Sequence, residues 1–430
     1  MTGPSLYLPP PVGLNGGLAV PADIQSVVGS IRFDVEARTA EASVAVELRL
    51  EGHAGWPAFD LRQHIDTASF DGAEIPVDAL RHHDMGAGHD ARMRAVEVDC
   101  DAGSRHRLDL RYQLGTPDAT GARPVEWLDD GVAWDLWMSD LEPGRYLEMW
   151  VPANLCHDQL YIELNVEVAG CSRPHVLLAN ASVEEVDPGR RWLVRYPPHY
   201  TSLSPLLVLV PADQVVVRRQ EVAAFGSAVL VTVAALADAG VGVDTAAADV
   251  TAWLSYFAAR YGPWAHGNHF MAVIWGAERG MEYDGATTAS PAALEHEVFH
   301  SWFGRGVKPA RASDGWIDEA MATWATASRR AGGGRYGAEP LGLDEPPMLL
   351  CPPHPWARHT PRESYVAGSR LLAGLADMAG GAAQLRSALA EWYHHYKNGA
   401  ATSEDLERHM SSWCGQDLGP WWDRYVYGRE

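Results

Sequence analysis

The run Glu295-His296-Glu297-Val298-Phe299-His300 sets two imidazoles four residues apart. On an α-helix that spacing puts both on one face, about 6 Å apart along the axis. Beyond His300, with eighteen residues intervening, comes Glu319, which opens a second apolar helical run through Ile317, Ala320, Met321 and Trp324. The pattern therefore predicts two helices packed so that His296, His300 and Glu319 reach one point. Two neutral imidazoles and one carboxylate leave the fourth tetrahedral position open, which is the arrangement of a catalytic rather than a structural zinc site. Glu297 then stands beside the metal, where it can take a proton from an activated water and return it to a leaving amine. One zinc ion per chain is expected, held by His296, His300 and Glu319. Glu295 reads as a solvated first-turn charge.

What surrounds this stretch must be large enough to bury it. At 430 residues there is room for two domains, each with its own core. The formal charge of 34 − 56 = −22 disfavours nucleic acid and anionic membrane surfaces as partners, since both need a positive face. No basic-then-apolar leader is visible at the N-terminus, and no apolar run approaches the length of a membrane span. The five cysteines, Cys100, Cys156, Cys171, Cys351 and Cys414, are scattered and form no Cys-x-x-Cys pair. They read as reduced thiols of a cytoplasmic protein.

Taken in order, residues 1 to about 23 are rich in Pro and Gly and read as an arm. A period of two follows, with Ile31, Phe33 and Val35, then Val44 to Leu50, Leu108 to Leu114, and Ile162 to Val168 alternating with polar residues. These predict half-buried antiparallel strands separated by turns such as Asp71-Gly72 and Asp187-Pro188-Gly189. His82, His83 and His89 fit no metal spacing and read as a solvated loop, while His106 opens a strand. The character changes near residues 211–222, which places a β-rich domain at 1–215 and a second domain at 216–430. Val250, Trp253, Leu254 and Phe257 mark a helix capped by Asp244, and His269 to Trp275 a short buried strand. The segment from Gly280 reads as one strand running to Thr288. Ser290 and Pro291 then start the helix that carries His296. Helical pattern continues to about Arg330, resumes at Tyr365 to Met378 and Gln384 to Tyr396, and returns behind a Thr402-x-x-Asp405 capping box.

His296-Glu-Val-Phe-His300-Ser-Trp302-Phe303-Gly304, Val307-x-Pro309 and Trp316-Ile-Asp-Glu319-Ala together resemble the gluzincin zinc aminopeptidases, the family of aminopeptidase N and leukotriene hydrolase. The likeness extends upstream to Gly280-Met281-Glu282-Tyr283, similar to the family's Gly-x-Met-Glu-Asn strand, and downstream to Tyr365-Val-Ala-Gly368, similar to its Tyr-x-x-Gly. It is weaker around Gly29-Ser-Ile-Arg-Phe-Asp, Phe59-Asp-Leu-Arg, Ala401-Thr-Ser-Glu-Asp-Leu and Asp417-Leu-Gly-Pro-Trp-Trp. Tyr283 replaces the family's Asn, Arg279 its usual Gly, and Val366-Ala367 its common Glu-Lys. A short form is expected, without the large C-terminal helical domain that caps the cleft in larger relatives.

The resemblance implies an α+β protein, with an N-terminal antiparallel β domain followed by a thermolysin-like, mainly helical zinc peptidase domain. It implies that Glu282 grips the free α-amine of a peptide, with Gly280 and Met281 beside it, and that Tyr365 stabilises the oxyanion. The expected activity is that of an aminopeptidase using a zinc-activated water with Glu297 as general base. The rivals are a precursor- or leader-peptide-processing endopeptidase, an epoxide hydrolase, and a non-catalytic peptide-binding protein on the same scaffold. Arg279 is the nearby cation that would pair with Glu282 if that carboxylate were merely structural.

Overall fold

The computed structural model describes residues 8–154, 158–224, 227–276, 279–327, 339–341, 345–357 and 359–429. The chain divides into two compact units, Leu6–Val215 with Pro355–Arg358, and Val216–His354 with His359–Glu430. It is a mixed α+β protein, with a large β-sheet unit first and the helices later.

The β unit is built on two long strands, Gly17–Asp34 and Thr39–Leu50, paired antiparallel. Their alternating apolar residues are the physical cause: Val27, Ile31 and Phe33 face Val44, Val46 and Leu48 in the core, all nearly or fully buried. Arg105–Gln113 extends the sheet on one side and Tyr161–Ala169 on the other. A second sheet of four strands is ordered Glu126–Leu128, Gly131–Asp135, Leu207–Pro211, His175–Ala179.

Three expectations for this unit need correction. The supposed arm is sheet from Val12, because Val12–Leu14 pairs back onto a strand that begins at Gly17. Residues 1–7 lie outside the described ones. The domain is not purely antiparallel: Tyr161–Ala169 runs parallel to Ser26–Asp34, and Trp56 to Ala58 parallel to Ala19 to Pro21. Alternation reports that one face is buried and is blind to the direction of the neighbouring strand. Nor are the histidines all solvated. His82 lies in strand His82–Asp84 and bonds Asp60 at 2.8 Å, while His106 bonds Asp71 at 2.7 Å.

The second unit begins with a five-stranded sheet, ordered Val215–Ala224, Ser227–Leu236, His269–Ile274, Ala286–Ala289, Gly280–Tyr283. Its inner strands pair parallel and its last strand is antiparallel at the edge. The single strand expected from Gly280 to Thr288 is a hairpin. Asp284-Gly285 turns it, with Gly285 at φ +62°, so the chain folds back on itself.

The helices of this unit are α1 Val243–Tyr261, α2 Leu294–Phe299, α3 Trp316–Ala327, α4 Glu363–Met378, α5 Ala382–Tyr396, α6 Ser403–Cys414 and α7 Gly419–Tyr425, of which α1 and α2 pack on the sheet. Val250, Leu254 and Phe257 of α1 are buried as their spacing predicts, but Gly242 rather than Asp244 occupies the N-cap position. Asp244 sits in the first turn, where its charge meets the positive helix end without a capping bond. The capping box of α6 is formed, since Thr402 Oγ1 accepts from the Asp405 backbone N–H and the Asp405 carboxylate accepts from the Thr402 N–H. Fully buried Asp314, just before α3, accepts from both the backbone N–H and the hydroxyl of Ser403 at 2.9 and 2.8 Å. Trp316 Nε1 donates to the same hydroxyl. The expected helical tail at 328–330 lies outside the described residues. Among the described residues no helix is long and apolar enough to cross a membrane.

Candidate metal centre and active site

Helix α2 is short but closed in. Leu294, Glu295, Glu297, Val298 and Phe299 are all buried, and only His296 is partly open. Glu295 is therefore an interior carboxylate, not the solvated charge expected of it. His300 is the C-cap of this helix and still has helical angles, φ −58° and ψ −16°. The two rings lie 4.8 Å apart at 74°. Beyond them the chain turns at Gly304, whose φ of +114° favours glycine. A Cβ there would come within 3.1 Å of both Asp318 and His300 Nδ1. The turn lets His300 Nδ1–H donate to the Phe303 carbonyl at 3.1 Å. A carbonyl only accepts, so Nδ1 carries a proton and Nε2 is the ring atom that faces inward.

Glu319 comes from the first turn of α3. Its Oε2 lies 3.0 Å from His296 Nε2 and 3.6 Å from His300 Nε2. Two ligands on one tetrahedral zinc at ordinary bond lengths are about 3.4 Å apart, so these separations fit a single ion. All three donors lie within 4.8 Å of one another. His300 Nε2 is buried and makes no hydrogen bond, the condition of an atom placed for a metal rather than for packing. The electrostatics agree. Burial pushes the proton affinity of His300 down, but the charges of Glu282, Glu319 and Asp318 outweigh it and hold the imidazole well above its usual range. Burial likewise opposes ionisation of Glu319, yet its bond with His296 and the nearby His300 ring keep its carboxyl below the usual range.

Around the donors stand the other sequence-predicted residues. Glu297, Glu282 and His300 also bring one ligand atom each within 4.8 Å of one another. Gly280 and Glu282 share one face of the edge strand, and Met281 alternates to the other, buried but turned away from Glu282. Tyr365, in the first turn of α4, donates to Glu319 Oε1 at 2.5 Å and stacks on His296 at 6.0 Å. Its hydroxyl is thus engaged on the carboxylate of Glu319. Glu282 does not pair with Arg279, which lies over the Trp275 ring at 3.7 Å. It pairs with Arg305, Nη2 to Oε1 at 3.0 Å. Arg305 is the residue that sequence reasoning missed. Only its place five residues after His300, in the turn beyond it, hinted at proximity, and no spacing rule connects it to Glu282.

No model of a known protein family matches the sequence, and a search of curated proteins finds no relative. Solved structures do match. The M1 zinc metallopeptidase of Deinococcus radiodurans, as a glutamate-to-alanine mutant bound to a Tyr-Ser-Ala substrate, aligns with a TM-score of 0.65 at 16% identity, over 95% of each chain. The unmutated M1 zinc metallopeptidase of the same organism gives 0.63 at 17%, over 97% of this chain and 96% of the other. Legionella pneumophila aminopeptidase A in complex with aspartic acid gives 0.66 at 12%, over 94% of this chain but 49% of that larger one. At these identities the shared property is the fold: this chain has the fold of the M1 zinc metallopeptidases.

Proposed function

We propose that the protein is a zinc-dependent aminopeptidase, with residues 216–430 as a thermolysin-like catalytic domain and 1–215 as its N-terminal β domain. The convergence of His296, His300 and Glu319 around one tetrahedral position, with Glu297 beside it, carries the reading. Those three side chains would hold one zinc ion. When bound, zinc supplies Lewis-acid activation of the attacking water and of the scissile carbonyl. Glu297 takes the proton of that water and delivers it to the leaving amine. Tyr365 turns its hydroxyl from Glu319 to the developing oxyanion. Glu282 accepts hydrogen bonds from the α-ammonium group of the peptide, so that the first peptide bond is the one presented. Gly280 and Met281 supply backbone along which the substrate lies. Neighbours of this fold bound to a tripeptide and to aspartic acid support a peptide substrate. Free thiols at Cys100, Cys171, Cys351 and Cys414 support a reducing, cytoplasmic location.

The test is Glu297→Gln, assayed on a free-amine peptide library beside its N-acetylated twins. The variant should keep its zinc and lose hydrolysis. A fully active Glu297→Gln protein sinks the mechanism. Equal cleavage of both twins by the parent replaces the aminopeptidase with an endopeptidase that processes longer chains.

A further inference from the structure

Glu282 and Arg305 form an ion pair that is almost sealed from water, with 4% and 2% of their side chains exposed. The guanidinium is fixed at its base. The Arg305 backbone N–H donates to the His300 carbonyl at 3.0 Å, and Nη1 donates to the Gly304 carbonyl at 2.9 Å. A second rung lies beside the first, where Lys308 Nζ is 3.0 Å from Asp284 Oδ1, again with little exposure. Two cations on the turn after the metal-ligand helix thus face two anions on the hairpin.

A guanidinium beside a carboxylate that is to bind an ammonium group needs explaining, because both cations compete for one charge. Arg305 is too enclosed to meet substrate itself. What it can do is hold Glu282. A glutamate has three rotatable bonds, and ordering it on binding costs rotamer freedom unless something has already ordered it. The guanidinium lies against Oε1 of the carboxylate that an incoming amine would meet. Glu282 also lies close to Glu297. Two carboxylates in one dry site repel, and the Arg305 charge offsets that repulsion.

We propose that Arg305 is a positioning residue that sets selectivity for a free α-amine by fixing the carboxylate of Glu282. The proposal rests on the aminopeptidase reading of Glu282. It goes beyond that reading by assigning the selectivity to a pair rather than to one residue.

The experiment measures kcat and KM of the zinc-loaded protein on a Tyr-Ser-Ala peptide and its N-acetyl twin. Arg305→Gln should lower the free-amine to acetyl ratio of kcat/KM at least about tenfold, through KM of the free-amine peptide, with the acetyl twin little changed. Arg305→Lys keeps the charge without the planar fork and should recover part of the ratio. In a Glu282→Gln background, Arg305→Gln should change the ratio no further. Should Arg305→Gln fail to fold, the lysine variant decides, and a parental ratio there overturns the proposal. So does an equal loss on both twins, which is the mark of mere packing. A selective parent whose ratio ignores Arg305 overturns this proposal alone. A zinc-loaded parent that cleaves neither twin overturns the peptidase reading and this one with it.

Discussion

Glu297 rests its carboxylate directly on Gly280: a Cβ built on that glycine would lie 2.1 Å from Oε1 and 2.5 Å from Cδ. The edge strand thus provides the seat of the proposed base, and the seat exists only because the residue has no side chain. Gly280→Ala must push the carboxylate off its position without touching His296, His300 or Glu319. A displacement of about 1 Å at a reacting group costs about a hundredfold in rate. The expected outcome is a kcat lowered by about that factor at full zinc content, read by steady-state kinetics beside metal analysis.

Tyr365 has two tasks in the proposed reaction, and they separate experimentally. Its hydroxyl bonds Glu319 in the structure and is proposed to reach the oxyanion during turnover. Tyr365→Phe should lower kcat by about 10²–10³ while KM moves little, as for loss of one oxyanion donor. Loss of the bond to Glu319 should weaken zinc by about tenfold or more. Competition with a zinc-binding dye reads the second effect independently of the first.

The α6 capping box offers a stability measurement apart from the chemistry. Thr402→Ala removes the acceptor of the Asp405 N–H and should cost about 1 kcal/mol. The denaturation midpoint should fall, with zinc content and KM unchanged.

His175 makes the β unit sensitive to acid. It is buried, and its Nε2 accepts from the Val132 backbone N–H at 3.0 Å, which only the neutral ring can do. Burial, the largest cause, depresses its proton affinity below the usual histidine value. The unfolded chain therefore binds the proton more readily. Stability from this group is complete above about pH 7 and is lost as pH falls through about 6.5 toward the lower folded value. The unfolding midpoint should drop between pH 7.5 and 5.5, and His175→Gln, whose amide oxygen can accept the same bond without titrating, should flatten the drop.

Much of this architecture was legible because period and spacing are local. The apolar alternation of Val44 to Leu50 is a strand wherever it lies, and Thr402 with Asp405 is a cap whatever follows. His296 and His300 needed only one turn of helix to share a face, and Glu319 only the start of the next helix. Strand direction was not legible, since Ile162 to Val168 alternates identically beside a parallel or an antiparallel neighbour. The hairpin at Asp284-Gly285 was hidden because Met281 to Thr288 is buried throughout and shows no period to break. Arg305 escaped for a different reason: its partner is set by how a turn and a hairpin pack, which no single stretch of sequence encodes.

The bonds from Ser403 to Asp314 and Trp316 have a consequence in time. Helix α3 supplies Glu319, yet the buried carboxylate at its start is satisfied by a residue made 89 positions later. As the chain leaves the ribosome, His296, His300 and Glu319 are all present well before Ser403 is. Until Ser403 arrives, Asp314 has Arg311 as its partner but lacks two of its hydrogen bonds, so the beginning of α3 is held less firmly. The helix that carries Glu319 is thus fastened in part by a residue made much later, and the proposed donor set gains its full support only once Ser403 is in place.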